Sequence, residues 1–164
     1  MTLSRRRFLA LAGVAGASLV AARSLLSAGT ADAAESFPVA MNDAAWRAKL
    51  SPEAYAVLRQ EATERPYSSP LNEEKRAGVF QCAGCDHPLY RSETKYDSRT
   101  GWPSFWQAED GAVGTKTDYV LVYPRTEAHC ARCGGHLGHI FDDGPAPTGK
   151  RHCINGVALG FRAA

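Results

Sequence analysis

The chain has 164 residues, one domain's worth, and its 45% hydrophobic and 22% charged content is that of an ordinary globular protein, which excludes wholesale disorder, collagen-like repeats and a polytopic membrane protein. Its formal charge of +2 is misleading, because four of the 19 basic residues (Arg5, Arg6, Arg7, Arg23) and one of the 17 acids (Asp32) lie in the first 33 positions, leaving 15 against 16 in the rest. A near-neutral body argues against a nucleic-acid partner, since proteins that neutralise phosphates cluster excess Lys and Arg on one face.

Residues 1–33 read as an address. A basic stretch, Ser4-Arg5-Arg6-Arg7-Phe8-Leu9, precedes an apolar run rich in small residues up to Ala22, and Ala31-Asp32-Ala33 offers small side chains at the two cleavage-specifying positions. The paired arginines resemble the twin-arginine export signal, Ser-Arg-Arg-x-Phe-Leu. That resemblance implies a bacterial protein passed already folded to the Tat export machinery and released to the periplasm or cell exterior. With the cut placed after Ala33, the mature chain keeps no membrane anchor.

Residues 34–41 read as a flexible lead-in to a domain spanning 42–164. Helical patterns follow at Asn42 to Leu50 and Ser51 to Thr63, the second opened by an N-cap serine, a first-turn proline and an early acid in Ser51-Pro52-Glu53. Tyr55, Leu58 and Ala62 recur at helical spacing and should face the core. Pro66 and Pro70 end helical structure. From Gly78 onward, short runs at Gly78 to Cys82, Tyr119 to Tyr123, His136 to Phe141 and Ala158 to Phe161 alternate with Gly, Pro, Asp and Ser clusters. This pattern predicts a mainly β fold of short antiparallel strands behind short N-terminal helices.

Five cysteines cannot all pair internally. Cys82-x-x-Cys85 and Cys130-x-x-Cys133 form two knuckles able to set four thiolates around one structural Zn2+, with no open coordination position. The 44 residues between Cys85 and Cys130 exceed the spacing of a compact zinc ribbon, so the fold must bring the knuckles together. Two disulfides are the alternative in an exported protein, and His87, His136 and His139 leave a mixed Cys and His site conceivable. Folding in a reducing cytoplasm before export favours metal.

Cys153 is left over. If Arg151 to Asn155 is a strand, Arg151, Cys153 and Asn155 share one face, flanking a thiol with a cation that favours the thiolate and an amide that can hydrogen-bond. An inert core cysteine is the alternative. His136 and His139, in Gly134-Gly-His-Leu-Gly-His139, could donate or relay protons from a turn and strand. Trp102, Phe105 and Trp106 could wall an apolar pocket or simply fill the core.

Taken together, these residues resemble the methionine-R-sulfoxide reductase B family. The matches are the two knuckles, Lys95-Tyr-Asp-Ser98, Gly101-Trp-Pro-Ser-Phe105, Gly134-Gly-His-Leu-Gly-His139-Ile-Phe141-Asp, Gly144-Pro, Pro147-Thr-Gly149 and Arg151-x-Cys153-x-Asn155. The resemblance spans residue 42 to the C-terminus and implies two antiparallel sheets behind short helices, stabilised by zinc on Cys82, Cys85, Cys130 and Cys133. It implies Cys153 as nucleophile, Trp102 as a wall for the substrate's S-methyl group, and His136, His139, Asn155 and Arg151 as groups that bind or protonate the sulfoxide oxygen and tune the thiol. The expected reaction reduces methionine (R)-sulfoxide, mainly in oxidised protein substrates, through a cysteine sulfenic acid. Many members carry a resolving cysteine just before Gly-Trp-Pro-Ser-Phe, and here that position is Thr100. An external, thioredoxin-like thiol reductant is therefore expected. A non-catalytic zinc-held β module that binds a ligand through the same aromatic residues is the competing reading.

Overall fold

The structure is a computed structural model that describes residues 36–119, 121 and 123–164. The export signal expected at 1–33 lies outside the described residues. Two helices open the described chain. α1 (Asp43–Lys49) begins where the Asn42 side chain accepts the Ala45 N–H at 2.9 Å, and α2 (Pro52–Gln60) where Ser51 Oγ accepts the Ala54 N–H at 3.1 Å, each satisfying an orphan donor of the first turn. Trp46, Tyr55, Val57 and Leu58 face inward. α2 stops three residues short of the sequence expectation because Glu61 adopts a left-handed conformation (φ 57°) and Ala62 N–H closes back on Ala56 C=O at 3.0 Å. Among the described residues, no helix is long and apolar enough to cross a membrane.

Among the described residues, nine strands follow. β1 (Gly78–Cys82), β2 (Pro88–Arg91) and β9 (Leu159–Ala163) form an antiparallel sheet in the order β2-β1-β9. β3 (Lys95–Tyr96), β4 (Ser104–Phe105), β5 (Val113–Asp118), β6 (Arg125–Cys130), β7 (His136–Phe141) and β8 (Arg151–Ile154) form a second antiparallel sheet in the order β3-β4-β8-β7-β6-β5. The mainly β, two-sheet architecture behind short helices is the one the sequence predicts. Between the sheets lies an aromatic core. Phe105 of the larger sheet stacks on Tyr90 at 4.2 Å between centroids and meets Phe80 edge-on at 5.0 Å, both from the smaller sheet. Such pairs add about 0.5–1.5 kcal/mol beyond the area they bury.

One segment differs from the sequence expectation. The apolar stretch around Tyr119, Leu121 and Tyr123, read as a strand, instead connects β5 to β6, and these three side chains are 75%, 46% and 60% exposed. The strand propensity of these three side chains gains no burial, whereas the polar Val113–Asp118 segment pairs along its whole length with Arg125–Cys130. The 36–41 lead-in lies against the second knuckle, where the Phe37 ring covers Gly134 and Val39 N–H donates to Arg132 C=O at 2.9 Å.

Candidate active site and metal cluster

The two Cys-x-x-Cys knuckles are built alike. Each begins on the last residue of a strand, Cys82 on β1 and Cys130 on β6, and each folds back so that the first cysteine's N–H reaches a carbonyl five residues on, His87 for Cys82 (2.8 Å) and Gly135 for Cys130 (2.9 Å). The turn needs a positive φ at its fifth residue, supplied by Asp86 (57°) and Gly134 (66°). β1 belongs to the smaller sheet and β6 to the larger, so the long spacing between knuckles is that between two sheets. All four sulfurs lie within 4.8 Å of one another, with Cys82 to Cys133 at 3.7 Å and Cys85 to Cys130 at 3.6 Å. A disulfide requires about 2.05 Å. A tetrahedron with zinc–sulfur bonds of about 2.3 Å has edges of about 3.8 Å. The donors therefore fit a metal, and no histidine joins the cluster among the described residues.

Cys153 lies apart from these sulfurs, in the middle of β8. The register places Cys153 opposite Ser104 on β4 and opposite His139 on β7, while Ser104 faces Tyr96 on β3 and His139 faces Glu127 on β6. Directly opposed residues in an antiparallel sheet project to one face, so one row of side chains crosses the sheet with the thiol near its centre. The alternation expected for Arg151 to Asn155 holds. Ile154 is fully buried on the other side, and His152 Nδ1 lies 3.2 Å from the Tyr90 hydroxyl. β7 can approach this closely because residue 138 is glycine: a Cβ there would sit 2.1 Å from the Cys153 carbonyl oxygen.

An open pocket forms over the thiol, lined by Cys153, His139, Asn155, Trp102, Gly138, Phe141, Thr63 and Arg125. Its polar groups are held from behind. His139 Nε2 donates to Asp118 Oδ2 at 2.8 Å, and Arg125 grips the same oxygen at 2.6 Å. Burial lowers the His139 pKa below the usual imidazole value, with the Asp118 bond opposing and the nearby Arg125 charge assisting. Asn155 is almost wholly buried; its Oδ1 accepts the Glu64 N–H and its Nδ2 donates to Leu137 C=O, both at 3.0 Å. The Trp102 indole N–H donates to the Glu64 carbonyl at 3.2 Å.

The remaining predicted residues stand back from the pocket. His136 is buried behind His139, their ring centroids 5.5 Å apart, and its Nδ1 donates to Glu127 at 2.9 Å. Burial pushes the Glu127 carboxyl up, but the His136 and Lys116 bonds outweigh it and leave the pKa below the ordinary value. Arg151 makes a two-pronged bond to Asp143 (2.8 and 2.9 Å) and lies 4.3 Å over the Phe141 ring. Its charge acts on Cys153 in the expected direction. Burial is larger, however, and pushes the thiol pKa up, with Thr100 and Arg151 pulling against it. The shift thus runs opposite to the one the flanking cation alone would produce.

Sequence reasoning missed Glu64, Asp118 and Arg125. Asp118 and Arg125 are direct partners across the β5–β6 pair, an Asp and an Arg bracketing one apolar run. That opposed pair is a hairpin signal legible in principle. Glu64 left no such trace, because its backbone does half the work.

These features define a two-sheet β protein with one pocket thiol set apart from a four-sulfur metal cluster. The SelR domain matches residues 50–163, and the chain belongs to that family. It is 49% identical over 121 residues to the peptide methionine sulfoxide reductase MsrB of Agrobacterium fabrum (73% of this chain, 90% of the relative). It is 52% identical over 118 residues to that of Methanosarcina barkeri (71% and 83%), and 48% identical over 128 residues to that of Leifsonia xyli subsp. xyli (77% and 92%).

Proposed function

We propose that this chain is a peptide-methionine (R)-S-oxide reductase in which Cys153 is the nucleophile. The observation that carries the reading is the direct pairing of Cys153 with His139 beneath a pocket walled by Trp102 and Phe141. Since His139 Nε2–H is given to Asp118, the neutral ring keeps Nδ1 as its acceptor. In that state it takes the proton of Cys153 as the thiolate attacks the sulfoxide sulfur, and returns it to the departing oxygen, which is a poor leaving group until protonated. The balance is simple. The attack forms a bond between Cys153 Sγ and the substrate sulfur; that bond and the substrate's S–O bond then break as the protonated oxygen passes to Sγ, so an S–O bond forms on Cys153, the thiol proton ends on that oxygen, the substrate sulfur is reduced by two electrons and Cys153 is oxidised to a sulfenic acid. Two external thiols then return Cys153 to the thiol, leaving their disulfide and water. Thr100 stands where a resolving cysteine would be, which supports an external thioredoxin-like reductant. Trp102 seats the S-methyl group, Asn155 presents its remaining N–H to the oxygen, and Arg151 and His136 act from behind.

Cys82, Cys85, Cys130 and Cys133 would hold zinc, whose part is structural because four sulfurs fill its coordination. Residues 1–33 support Tat-dependent export, so the substrates are oxidised proteins outside the cytoplasm. In assays with dithiothreitol, the purified protein is expected to turn over R but not S methionine sulfoxide, to contain one zinc per chain, and to gain one oxygen on Cys153 without an internal disulfide. Cys153→Ser should keep the metal and lose turnover; activity in that variant would defeat the reading.

A further inference from the structure

Beside Cys153, on the side away from His139, three hydroxyls lie in file. Thr100 Oγ1 is 3.8 Å from Cys153 Sγ, Ser98 Oγ is 2.8 Å from Thr100 Oγ1, Ser104 Oγ is 2.7 Å from Ser98 Oγ, and Ser104 donates to the Trp102 carbonyl at 3.1 Å. Ser104 is fully buried. Each hydroxyl has a single hydrogen to give, so the last bond fixes the direction of the rest. With Ser104 committed to the carbonyl, Ser98 donates to Ser104, Thr100 donates to Ser98, and Thr100 can only accept from the Cys153 S–H. The resting chain therefore runs away from a thiol. Once the thiol proton leaves, nothing at Cys153 can donate, and the same oxygens satisfy one another only by turning round: Ser104 donates to Ser98, Ser98 to Thr100, and Thr100 to the sulfur anion. The turn breaks no covalent bond and moves no proton between residues. It exchanges a neutral bond to the Trp102 carbonyl for a charge-assisted bond to sulfur, the stronger of the two kinds.

We propose that Thr100 is a positioning residue which, with Ser98 and Ser104 behind it, stabilises the Cys153 anion through a reversible hydroxyl relay. This rests on the catalytic reading of Cys153. Because the far end of the relay is the backbone carbonyl of Trp102, ionisation of the thiol frees a bond at the residue that walls the pocket, linking the state of the nucleophile to that wall. The charged and titratable groups facing Cys153 are Arg151 on its own strand with Asp143 behind it, His139 on β7 with Asp118 and Arg125 behind it, and Tyr96 on β3. β4 contributes only the Ser104 hydroxyl to that row. Arg151 meets the relay only at the Cys153 sulfur itself, and neither it nor the other groups bonds to the Ser98, Thr100 or Ser104 hydroxyls, so substitution at those hydroxyls leaves the charged groups in place.

The test is the pH dependence of Cys153 alkylation by iodoacetamide in the metal-loaded protein, followed by mass spectrometry of the Cys153 peptide, alongside kcat and KM for the R sulfoxide. Thr100→Val, equal in shape and without the hydroxyl, should raise the alkylation midpoint by about one pH unit, slowing neutral-pH alkylation and kcat about tenfold with little change in KM. Thr100→Ser should restore the wild-type midpoint, and Ser98→Ala, which leaves Thr100 in place but cuts the relay, should give an intermediate shift. An unchanged midpoint in both Thr100→Val and Ser98→Ala would overturn the proposal, as would a Thr100→Ser protein as impaired as Thr100→Val. Alkylation reads ionisation whether or not the protein turns over, so a shift without wild-type turnover would refute the catalytic reading alone.

Discussion

Glu64 serves the site with every polar group it has. Its carboxylate accepts the Gly156 and Val157 N–H groups at 2.5 and 3.0 Å, its own N–H holds Asn155 and its carbonyl holds the Trp102 indole. Truncation to Ala leaves two backbone donors without their acceptor, at about 1–3 kcal/mol for an unsatisfied buried group, and lets the segment that orients Asn155 and Trp102 drift. Glu64→Ala is expected to lower the melting temperature and reduce kcat/KM about tenfold, with Glu64→Gln recovering part of both; wild-type kinetics in Glu64→Ala would refute the role. Cys153 and the knuckle cysteines were legible because parity and spacing are properties of the sequence itself. Glu64 was not, because a residue that works through its main chain leaves no side-chain pattern to read. The thiol pKa was legible only in part: the sequence shows Arg151 beside Cys153 but not the burial that outweighs it.

At the scale of elements, β8 shows how one strand serves chemistry on one face and stability on the other. His152 points into the protein beside Tyr90, where burial, with Lys150 assisting, lowers its pKa from 6.5 to about 4. Between those values the unfolded chain binds a proton that the folded chain does not, so the stability His152 contributes is complete above about pH 6.5 and is lost as the pH falls toward about 4. Thermal unfolding followed across this window should show a falling midpoint that is flatter in His152→Gln; equal slopes would assign the acid sensitivity elsewhere. β1, β7 and α2 were legible from alternation, helical spacing and the Ser51 cap. The β5–β6 pair was not, because Val113–Asp118 and Arg125–Cys130 are polar strands held by pairing, while Tyr119, Leu121 and Tyr123 between them are exposed.

For the whole molecule, the cluster of four sulfurs joins β1 of one sheet to β6 of the other, so a metal held there would couple its own loading to assembly of the sheets. A chain that crossed a membrane unfolded would bring those thiols metal-free into an oxidising compartment. Export of the folded form avoids this, in keeping with the proposed role of Arg5 and Arg6. Arg5→Lys with Arg6→Lys should hold an active, metal-loaded protein in the cytoplasm, and its appearance outside the membrane would remove the Tat assignment. The row that crosses the larger sheet carries a consequence of another kind. Tyr96, Ser104, Cys153, His139 and Glu127 come from five separate strands and meet only because each pairing has its particular offset. One residue gained or lost within β7 would turn His139 to the opposite face and leave every side chain chemically intact. In this protein, counting along a strand matters to catalysis as much as the identity of the residues counted.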